Sequence, residues 1–216
     1  MIFDFNDLYT IKWSQQNEKS ESFLVAFKDH FQFIRGYHCS KIFNDNDFHQ
    51  GLFPGNEKII KDKARYIFRN DSRFNEISLI IDEHHISELG ELHFFVAKQA
   101  IKIAYHYCLF GSEELVRIAN KIDSLLIGVN ARRKIIDLGK PVILHINVPI
   151  SVVDDNEILI IQEIIQENDI ESISNNDFIE QSLLINTKIE YKEIVKIEFI
   201  DQKELISKAI VDGMIE

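Results

Sequence analysis

Apolar positions along the chain follow two periods, and together they predict helices that alternate with strands. Spacings of three and four residues, typical of an amphipathic helix, occur over residues 23–31, 57–68, 97–109, 112–126 and 202–211. Short apolar or alternating runs, typical of strands, occur over residues 31–38, 92–96, 140–149, 182–185 and 194–200. The run 140–149 is the clearest strand, because Gly139 and Pro149 bound it.

Shorter segments leave a choice or predict turns. The apolar run 77–81 fits either a helix or a strand, whereas the length of the run 157–166 favours a helix. Residues 45–50 predict a short helix closed by the turn at 51–54, and residues 172–177 predict a polar turn. The chain has only three prolines and eight glycines, so little of it has the composition of a linker.

The order of these elements predicts the fold class. Helices separate most of the strands and tight hairpins are few, which indicates an α+β arrangement. A chain of 216 residues fits one domain with elaborations. We therefore predict a single domain over residues 1–216, in which residues 1–31 form an N-terminal helical elaboration.

The composition suits a protein with a real core, at 45% hydrophobic and 27% charged residues. The net charge of −11 argues against a general phosphate-binding surface, because nonspecific nucleic-acid affinity comes mainly from Lys and Arg. The basic segment Lys58–Arg73 is the exception. It predicts either a solvated helix face or a small groove for nucleic acid.

Cysteine usage and the N-terminal residues indicate the compartment. Cys39 and Cys108 are the only cysteines and have no C-x-x-C spacing, which suggests a reducing compartment and no metal knuckle. Met1 is followed by Ile-Phe-Asp-Phe-Asn-Asp, without the basic and apolar regions of a signal peptide. No uncharged apolar run approaches the roughly 18 residues that span a bilayer. The sequence predicts a cytoplasmic protein with no membrane partner.

Two short stretches carry the candidate chemistry. The first, Gly36–Ser40, resembles the end of a strand at which His38 and Ser40 reach a polar ligand. The second puts Phe94 at the end of a strand, and Tyr105 follows eleven residues later on a predicted helix. Two aromatic side chains in that arrangement could clamp a flat ring by stacking.

These stretches resemble the NAD-binding core of the ADP-ribosyltransferases, in the His-Tyr-Glu branch of the diphtheria-toxin and poly-ADP-ribose-polymerase enzymes. That branch reads His-Gly-Ser/Thr, then Tyr-Phe-Ala, then a second Tyr eleven residues on. This chain reads His38-Cys39-Ser40, then Phe94-Phe95-Val96, then Tyr105. The resemblance covers roughly residues 33–200, and it implies an α+β fold with a split antiparallel β core and flanking helices.

The resemblance gives each of these residues a role in binding NAD. His38 would bind a ribose hydroxyl, and Ser40 would assist near the nicotinamide, with Cys39 in the same binding stretch. Phe94 and Tyr105 would sandwich the nicotinamide ring. Phe94 stands where the family has Tyr, so the stacking face is kept and a hydroxyl is lost.

The third element of the family is a Glu at the start of a late strand. Here that strand is Leu183–Ile185, and the residue directly before it is Ser182. Glu180, two residues before Ser182, would lie on the same strand face and is the predicted catalytic carboxylate, with His38 as the second catalytic residue. Glu190 and Glu193 are alternatives if the loop is aligned differently.

By the same resemblance, NAD is the substrate and its nicotinamide–ribose bond breaks through an oxocarbenium-like transition state. The predicted function is mono-ADP-ribosyl transfer to a protein side chain or a nucleic-acid base. Small intracellular enzymes of this kind resemble toxins of toxin–antitoxin and phage-defence systems, so an antitoxin protein is a further expected partner. Two alternatives stay open: NAD glycohydrolysis, and a catalytically inactive module that binds NAD, ADP-ribose or a partner.

No metal is expected. The pair His84–His85 has acidic neighbours, but adjacent residues cannot both point to one site, and no second cluster has ligand spacing. The sequence also has no glycine-rich loop of the G-x-x-x-x-G-K-S/T or G-x-G-x-x-G kind, which would have indicated a phosphate cradle.

Overall fold

The centre of the protein is an open, mainly antiparallel β-sheet. The computed structural model describes residues 1–18, 22–87, 89–102, 104–168, 173 and 181–212. The strands are β1 (Ile2–Phe3), β2 (Phe33–Ile42), β3 (Leu92–Phe95), β4 (Lys140–Pro149), β5 (Ser182–Ile185) and β6 (Ile194–Phe199). Their order is β5-β3-β2-β4-β6 with antiparallel neighbours, and β1 pairs in parallel with the start of β2.

Helices cover both faces of this sheet. They are α1 (Leu8–Asn17), α2 (Phe23–His30), α3 (Glu57–Phe68), α4 (Phe74–Asp82), α5 (Tyr105–Phe110), α6 (Glu113–Leu125), α7 (Ala131–Asp137), α8 (Asp155–Glu167) and α9 (Gln202–Val211). The α3 core lies between one face and α3 to α7 with α9, and includes Ile67, Phe68, Ile77, Ile118 and Ile135. The α8 core lies between the other face and α1, α2 and α8, and includes Phe3, Phe27, Phe94, Ile158 and Ile161. The α+β class is as predicted.

The central strands supply side chains to both cores. Residues 33–42 of β2 pair with residues 140–149 of β4 over their whole lengths. Because strand side chains alternate between the two faces, Tyr37 and Cys39 enter the α3 core, while Ile34 enters the α8 core. This alternation decides which strand residues can share a site.

Most of the predicted elements are confirmed. β4 begins and ends at the predicted residues, and the run 77–81 lies within α4. The continuous helix predicted over 97–109 is wrong, because a 3-10 turn at Lys98–Lys102 packs against β2 and β3 before α5 begins. The predicted turn at 172–177 lies outside the described residues, apart from Ile173.

Residues 45–50 form turns instead of the predicted helix. The carboxylate of Asp47 accepts hydrogen bonds from the backbone N–H groups of Phe43 (2.7 Å) and Asn44 (3.3 Å). A side chain that binds the preceding backbone in this way competes with helix formation. Phe48 then adopts a left-handed conformation with φ of 70°, which is incompatible with a right-handed helix.

The predicted N-terminal elaboration contributes to the sheet as well as to the helical layer. β1 pairs with the start of β2. Phe3 and Phe5 are fully buried in the α8 core. The rings of Phe27 and Phe31 lie 5.1 and 5.4 Å from the ring of Phe3. Full burial of such a side chain contributes about 1.5–3 kcal/mol, so these residues help to stabilise the same domain.

A fully buried lysine, Lys41, joins β2 to two helices on the α3 side. Its Nζ donates to the backbone carbonyls of Leu109 (3.1 Å), Ile135 (2.8 Å) and Ile136 (2.5 Å). These carbonyls belong to the last turns of α5 and α7, where helix carbonyls lack intrahelical partners. The amine therefore closes two helix C-termini at once. Burial lowers the pKa of Lys41 to about 7.

Gly36 lets β2 lie close to its neighbours on the α8 side. A Cβ atom at this position would lie 3.0 Å from Cβ of Phe94 and 3.1 Å from Cγ2 of Val148. Both distances are tighter than ordinary contact, and interiors are too closely packed to absorb an added methyl group freely. Packing, and not an unusual backbone angle, therefore requires glycine here.

Candidate functional site

Polar side chains collect on the α3 side of the sheet, near the start of β2 and the end of β4. Arg35 lies opposite Asn147, and Tyr37 lies opposite His145. Tyr37 belongs to the α3 core, so the strand period of two places the other three side chains on the same face. The group that we call the polar cluster comprises Arg35, Tyr37, Lys98, His145, Asn147, Lys196 and Glu198.

Glu198 of β6 is the centre of this cluster. Its Oε1 accepts a hydrogen bond from Nζ of Lys98 (2.9 Å), and its Oε2 accepts from Nε2 of His145 (2.8 Å) and Nζ of Lys196 (3.2 Å). Burial would raise the pKa of the Glu198 carboxyl, but the three hydrogen bonds outweigh burial and hold the pKa at about 2. The carboxylate is therefore charged at neutral pH.

His145 presents a neutral imidazole to the cluster. Burial lowers its pKa, and the hydrogen bond and charge of Glu198 oppose this shift only in part. A neutral ring that donates from Nε2 keeps its lone pair on Nδ1. The ring also meets that of Tyr37 edge-to-face, with centroids 5.1 Å apart. Nδ1 of His145 can thus accept a hydrogen bond from a hydroxyl or an amide.

Tyr37 links the cluster to the segment that follows β1. Its hydroxyl accepts a hydrogen bond from Nδ2 of Asn6 (2.8 Å) and donates a longer one to Oδ1 of Asp4 (3.4 Å). Burial and the negative charge of Asp4 raise the pKa of Tyr37 far above its usual value. Because the phenol stays protonated, Tyr37 can offer a ring face and a hydroxyl but cannot act as a base.

Arg35 and Asn147 carry polar atoms that other described residues do not satisfy. Nε of Arg35 and Oδ1 of Asn147 are both buried and have no hydrogen-bond partner. Oε1 of Gln99, which follows Lys98 in the chain, is also buried and has no hydrogen-bond partner. A buried polar atom without a partner costs about 1–3 kcal/mol. A ligand that offers an acceptor to Arg35 and a donor to Asn147 would remove this cost.

The cluster combines charge with a flat aromatic surface. Lys98 and Lys196 pair with the carboxylate of Glu198, and Arg35 lies close enough to Tyr37 to influence its pKa, as does the carboxylate of Asp4. The region therefore holds three cations and two carboxylates. Phe95 of β3 lies opposite Tyr37 and packs against the α3 core. An excess of cations favours phosphate or carboxylate groups of a ligand, and the rings favour a planar group beside them.

The chain matches no protein-family model, no curated protein and no solved structure. Within the described part of the chain, no helix is both long and apolar enough to cross a membrane. The same residues contain no group of three or more His, Cys, Asp or Glu side chains placed to hold a metal ion. The chemistry of the polar cluster is therefore the observation from which a function can be argued.

His38, predicted to bind a ribose hydroxyl, lies on the opposite face of the sheet from the polar cluster. Its ring lies 5.7 Å from the ring of Phe94 on the α8 side. Its Nδ1 donates to the backbone oxygen of His93, at 2.9 Å. In the described residues, β2 and β3 pair at Tyr37 and Phe95. The hydrogen bond from His38 to His93 is a further link between these two strands. Burial lowers the pKa of His38, which favours the neutral ring.

Phe94 and Tyr105 do not form the predicted clamp. Phe94 is fully buried in the α8 core, whereas Tyr105 lies in the α3 core at the start of α5. The sheet stands between the two rings, so they cannot sandwich one ligand. The spacing of eleven residues fixes a distance along the chain but not the face to which a strand residue points. Phe95 is the neighbour of Phe94 that shares the α3 side with Tyr105.

Tyr105 connects α5 to α9. Its hydroxyl donates to Oδ2 of Asp212 (2.6 Å), and Nζ of Lys208 lies 4.2 Å from its ring centroid. Burial and the contact with Asp212 raise the pKa of Tyr105 to about 12. Tyr105 is therefore buried because it packs between α5 and α9, as an ordinary core residue does.

Cys39 and Ser40 complete the predicted binding stretch, and they point to different sides of the sheet. Cys39 is buried in the α3 core, where a hydrogen bond with Cys108 and burial raise the pKa of its thiol. A protonated, buried thiol is a poor nucleophile. Ser40 is only 3% exposed and, by alternation, shares the α8 side with His38. Adjacent strand residues therefore divide this stretch between two faces.

Glu180, the predicted catalytic carboxylate, lies outside the described residues. The strand that follows it, β5, pairs with β3, and Ser182 lies opposite Phe95. The backbone N–H of Val96 donates to the carbonyl of Gln181, at 3.1 Å. β5 is thus the direct neighbour of the strand that carries Phe95.

The alternative carboxylates, Glu190 and Glu193, lie just before β6. Glu190 is 59% exposed and pairs with Lys188 at 3.1 Å. Glu193 is 14% exposed, with Lys192 at 3.8 Å. Each has one lysine as a counter-ion, whereas Glu198 has two lysines and a histidine. Glu198 is therefore the most strongly held carboxylate of the three.

Three of the six cations in the basic segment Lys58–Arg73 form ion pairs with nearby acids. Its ion pairs are Lys61–Glu57, Arg65–Asp62, Arg65–Asp82 and Arg73–Glu76. An open depression of about 600 Å³ at the start of α3 is lined by Gly55, Asn56, Glu57, Lys58, Lys61, Arg65 and Leu89. With half of its cations paired to acids, the segment has the character of a solvated helix face.

His84 has a structural partner. Its Nε2 lies 3.2 Å from Oε2 of Glu114, whose side chain is 3% exposed. Oε1 of Glu114 accepts from the hydroxyl of Ser87 (2.7 Å) and from Arg117 (2.7 Å). Glu114 therefore fastens the loop after α4 to α6, and each part of this group is satisfied by the others.

The sequence analysis missed the polar cluster, although one signal for it was present. His145 and Asn147 stand at alternate positions of the apolar run 140–149. Polar residues two apart in a buried strand point to the same face, which indicates a site or a solvated side. Arg35 and Glu198 gave no such signal, because the pairing of distant strands brings them to that face.

Proposed function

We propose that this protein binds NAD at the polar cluster and transfers ADP-ribose to a macromolecule. The observation that carries the proposal is the carboxylate of Glu198, held by Lys98 and His145 on the sheet face that also carries Arg35 and Asn147 with their unsatisfied atoms. Stability alone does not explain such a group, because ion pairs with exposed lysines contribute little net stability.

The chemical groups of the cluster suit the parts of NAD. The cations Arg35 and Lys98 suit the pyrophosphate. Nδ1 of His145 can accept from a ribose hydroxyl, and the rings of Tyr37 and Phe95 suit the flat nicotinamide, which is cationic and attracted to aromatic faces. These assignments give the role predicted for Phe94 to Phe95, the next residue of the same strand, and the role predicted for His38 to His145 of β4.

The order of the strands also supports this proposal. β2 and β3 carry the stretches that resemble the ADP-ribosyltransferases, and β5 follows the predicted carboxylate Glu180. These strands are neighbours in the sheet, in the order β5-β3-β2. A ligand on the α3 side could therefore reach residues from all three strands.

The proposed reaction needs positioning and charge more than acid–base chemistry. Nicotinamide leaves as a neutral molecule, and the ribose develops positive charge that a carboxylate can stabilise. We assign that role to Glu180. Glu198 then acts as a positioning residue, because three hydrogen bonds already hold its carboxylate and orient Lys98 and His145.

A binding module without transferase activity is the second candidate. It is favoured because Glu198, the carboxylate that the described residues place in the cluster, is tied to Lys98, His145 and Lys196 and is not free to act on a substrate. NAD glycohydrolysis is a variant of the leading proposal in which water is the acceptor. The binding module differs from both reactions because it leaves the nicotinamide–ribose bond of NAD intact.

The test is incubation of the pure protein with NAD labelled in the adenylate phosphate, with and without cell lysate. Transfer should carry the label into protein or nucleic acid, and glycohydrolysis should yield free ADP-ribose. The net charge of −11 favours a protein acceptor. Glu180→Gln should retain NAD binding while transfer falls by about 10²-fold or more. NAD that binds but stays intact would establish the binding module instead.

Arg35→Gln tests the location of the site. NAD affinity should fall by about tenfold or more, because a charge-assisted contact contributes about 1.5–3 kcal/mol. Arg69→Gln is the matched control, since Arg69 stacks on Tyr66 at 3.7 Å on an exposed helix end. Equal NAD affinity in the wild type and Arg35→Gln would place any NAD site elsewhere.

A further inference from the structure

The segment that follows β1 places a second carboxylate, Asp4, beside the polar cluster. Oδ1 of Asp4 accepts a hydrogen bond from the hydroxyl of Tyr37, at 3.4 Å. Phe3 and Phe5, the neighbours of Asp4 in the chain, are fully buried in the α8 core. Packing on both sides of Asp4 therefore fixes this segment next to the cluster.

Asp4 is half-buried and keeps one oxygen that the protein does not use. Its Oδ1 also accepts from the backbone N–H and from Nδ2 of Asn6, at 2.8 and 2.9 Å. Within the described part of the chain, Oδ2 accepts no hydrogen bond and Asp4 forms no ion pair. Glu198 differs, because three donors hold its two oxygens. Of these two carboxylates, Asp4 is thus the one that can offer its charge to a ligand.

The charges of Asp4 and Arg35 both reach the hydroxyl end of Tyr37. Burial and the charge of Asp4 raise the pKa of Tyr37, and the charge of Arg35 lowers this pKa by less than Asp4 raises it. Together the two charges therefore act on this hydroxyl as an excess of negative charge. Such an excess attracts a cation, and the face of an aromatic ring attracts a cation as well.

We propose that Asp4 makes the polar cluster selective for a cationic aromatic ring, so that the cluster binds NAD more tightly than NADH. The nicotinamide ring of NAD carries a positive charge, whereas the ring of NADH is neutral. The pyrophosphate is the same in both molecules, so Arg35 and Lys98 do not distinguish them. This inference rests on the proposed function, which assigns the nicotinamide to the rings of Tyr37 and Phe95.

The size of the preference follows from distance. A cation bound at an aromatic ring lies within about 6 Å of the ring centroid, and Asp4 lies at the hydroxyl end of the Tyr37 ring. Two opposite unit charges about 7 Å apart change an affinity about threefold even when they are screened as in bulk water. Partial burial weakens this screening, so we expect Asp4 to contribute at least that factor.

Asp4→Asn tests the preference, because asparagine keeps the size of the side chain and an oxygen that can accept from Asn6. Isothermal titration calorimetry on the full chain measures the dissociation constants of NAD and NADH. If NAD is consumed during the titration, carba-NAD replaces it, since its cationic ring is bound to a carbocycle and does not leave.

The wild type should bind NAD more tightly than NADH. In Asp4→Asn, NAD should bind at least about threefold more weakly, while the dissociation constant of NADH should stay the same. The unchanged affinity for NADH also shows that the variant folds and keeps its site.

Asp7→Asn is the matched control, because it removes the same charge from the same segment. The carboxylate of Asp7 caps α1 by accepting from the backbone N–H of Tyr9, at 2.9 Å. Asparagine caps a helix as well as aspartate does. The ratio of the two dissociation constants in Asp7→Asn should therefore equal that of the wild type.

Three results would overturn the inference: a wild type without a preference for NAD, a ratio in Asp4→Asn equal to that of the wild type, or an equal fall in Asp7→Asn. If Arg35→Gln weakens the binding of both nucleotides while Asp4→Asn leaves their ratio unchanged, the NAD site stands and Asp4 has no part in selectivity. If neither nucleotide binds to the wild type, the proposed function and this inference both fail.

Discussion

Glu198→Gln removes the charge at the centre of the polar cluster while keeping the size of the side chain. Lys98 and His145 then lose the carboxylate that accepts their hydrogen bonds at 2.9 and 2.8 Å. The glutamine oxygen can still accept from one of them. The substitution therefore tests the electrostatic part of the network apart from its packing.

The magnitude follows from the pKa of the carboxyl. A shift to about 2 in the folded state, from about 4.3 in an unfolded chain, corresponds to about 3 kcal/mol. Glu198 keeps 26% of its side chain exposed, and solvent screens part of the interaction. We expect Glu198→Gln to lower the free energy of unfolding by about 1–2 kcal/mol at neutral pH.

The pH dependence has a definite sign. A carboxyl whose pKa is depressed by folding stabilises the protein above its unfolded pKa, and that contribution is lost as pH falls through the folded pKa. The difference in unfolding free energy between wild type and Glu198→Gln should be constant above about pH 5 and shrink toward zero near about pH 2. Urea unfolding at a series of pH values measures it.

Glu190→Gln is the matched control for this experiment. Glu190 is 59% exposed and pairs with a single lysine, and exposed pairs of this kind contribute about 0–1 kcal/mol. If Glu198→Gln costs no more than Glu190→Gln, or if its cost does not change with pH, the cluster does not hold the carboxylate as described.

Two further variants test the packing around the sheet. Lys41→Met removes the donor of the Leu109 and Ile135 carbonyls, whereas the Ile136 carbonyl keeps Nε2 of Gln202 at 2.7 Å. The substitution should lower the free energy of unfolding by about 2 kcal/mol or more, measured with urea. The pKa of Lys41 is about 7 in the folded protein and about 10.4 in an unfolded chain. The free energy of unfolding should therefore rise with pH between these two values, and Lys41→Met should lack this rise. Gly36→Ala should cost about 1–3 kcal/mol in thermal unfolding, and an unchanged melting temperature would contradict the close approach of Phe94.

The secondary structure was predictable where one local signal was strong. β4 was found because Gly139 and Pro149 bound an apolar run, and α6 because Ser112 caps the backbone N–H of Leu115. The helix over 97–109 was not, because contacts of the 3-10 turn with β2 and β3 override the local apolar spacing. The competing bonds of Asp47 in the 45–50 segment likewise depend on a turn geometry that residue spacing does not reveal.

The candidate site was less predictable than the fold, since it depends on which face each strand residue occupies. In the stretch His38-Cys39-Ser40, His38 and Ser40 share one face of β2 and Cys39 lies on the other, because adjacent strand residues point to opposite sides. The polar cluster instead takes Arg35, His145 and Glu198 from three separate strands. Their meeting is set by strand order and register, which the sequence pattern alone does not specify.

The long ladder between β2 and β4 has a consequence for the rate at which this chain folds. Residues 33–42 must find residues 140–149, with α3 to α7 and β3 emerging from the ribosome between them. Contacts so distant along the chain make the search slow. Until β4 has been synthesised, β2 lacks the strand with which it pairs along its whole length. The nascent chain then exposes an unpaired apolar strand, which is prone to aggregate unless a chaperone covers it.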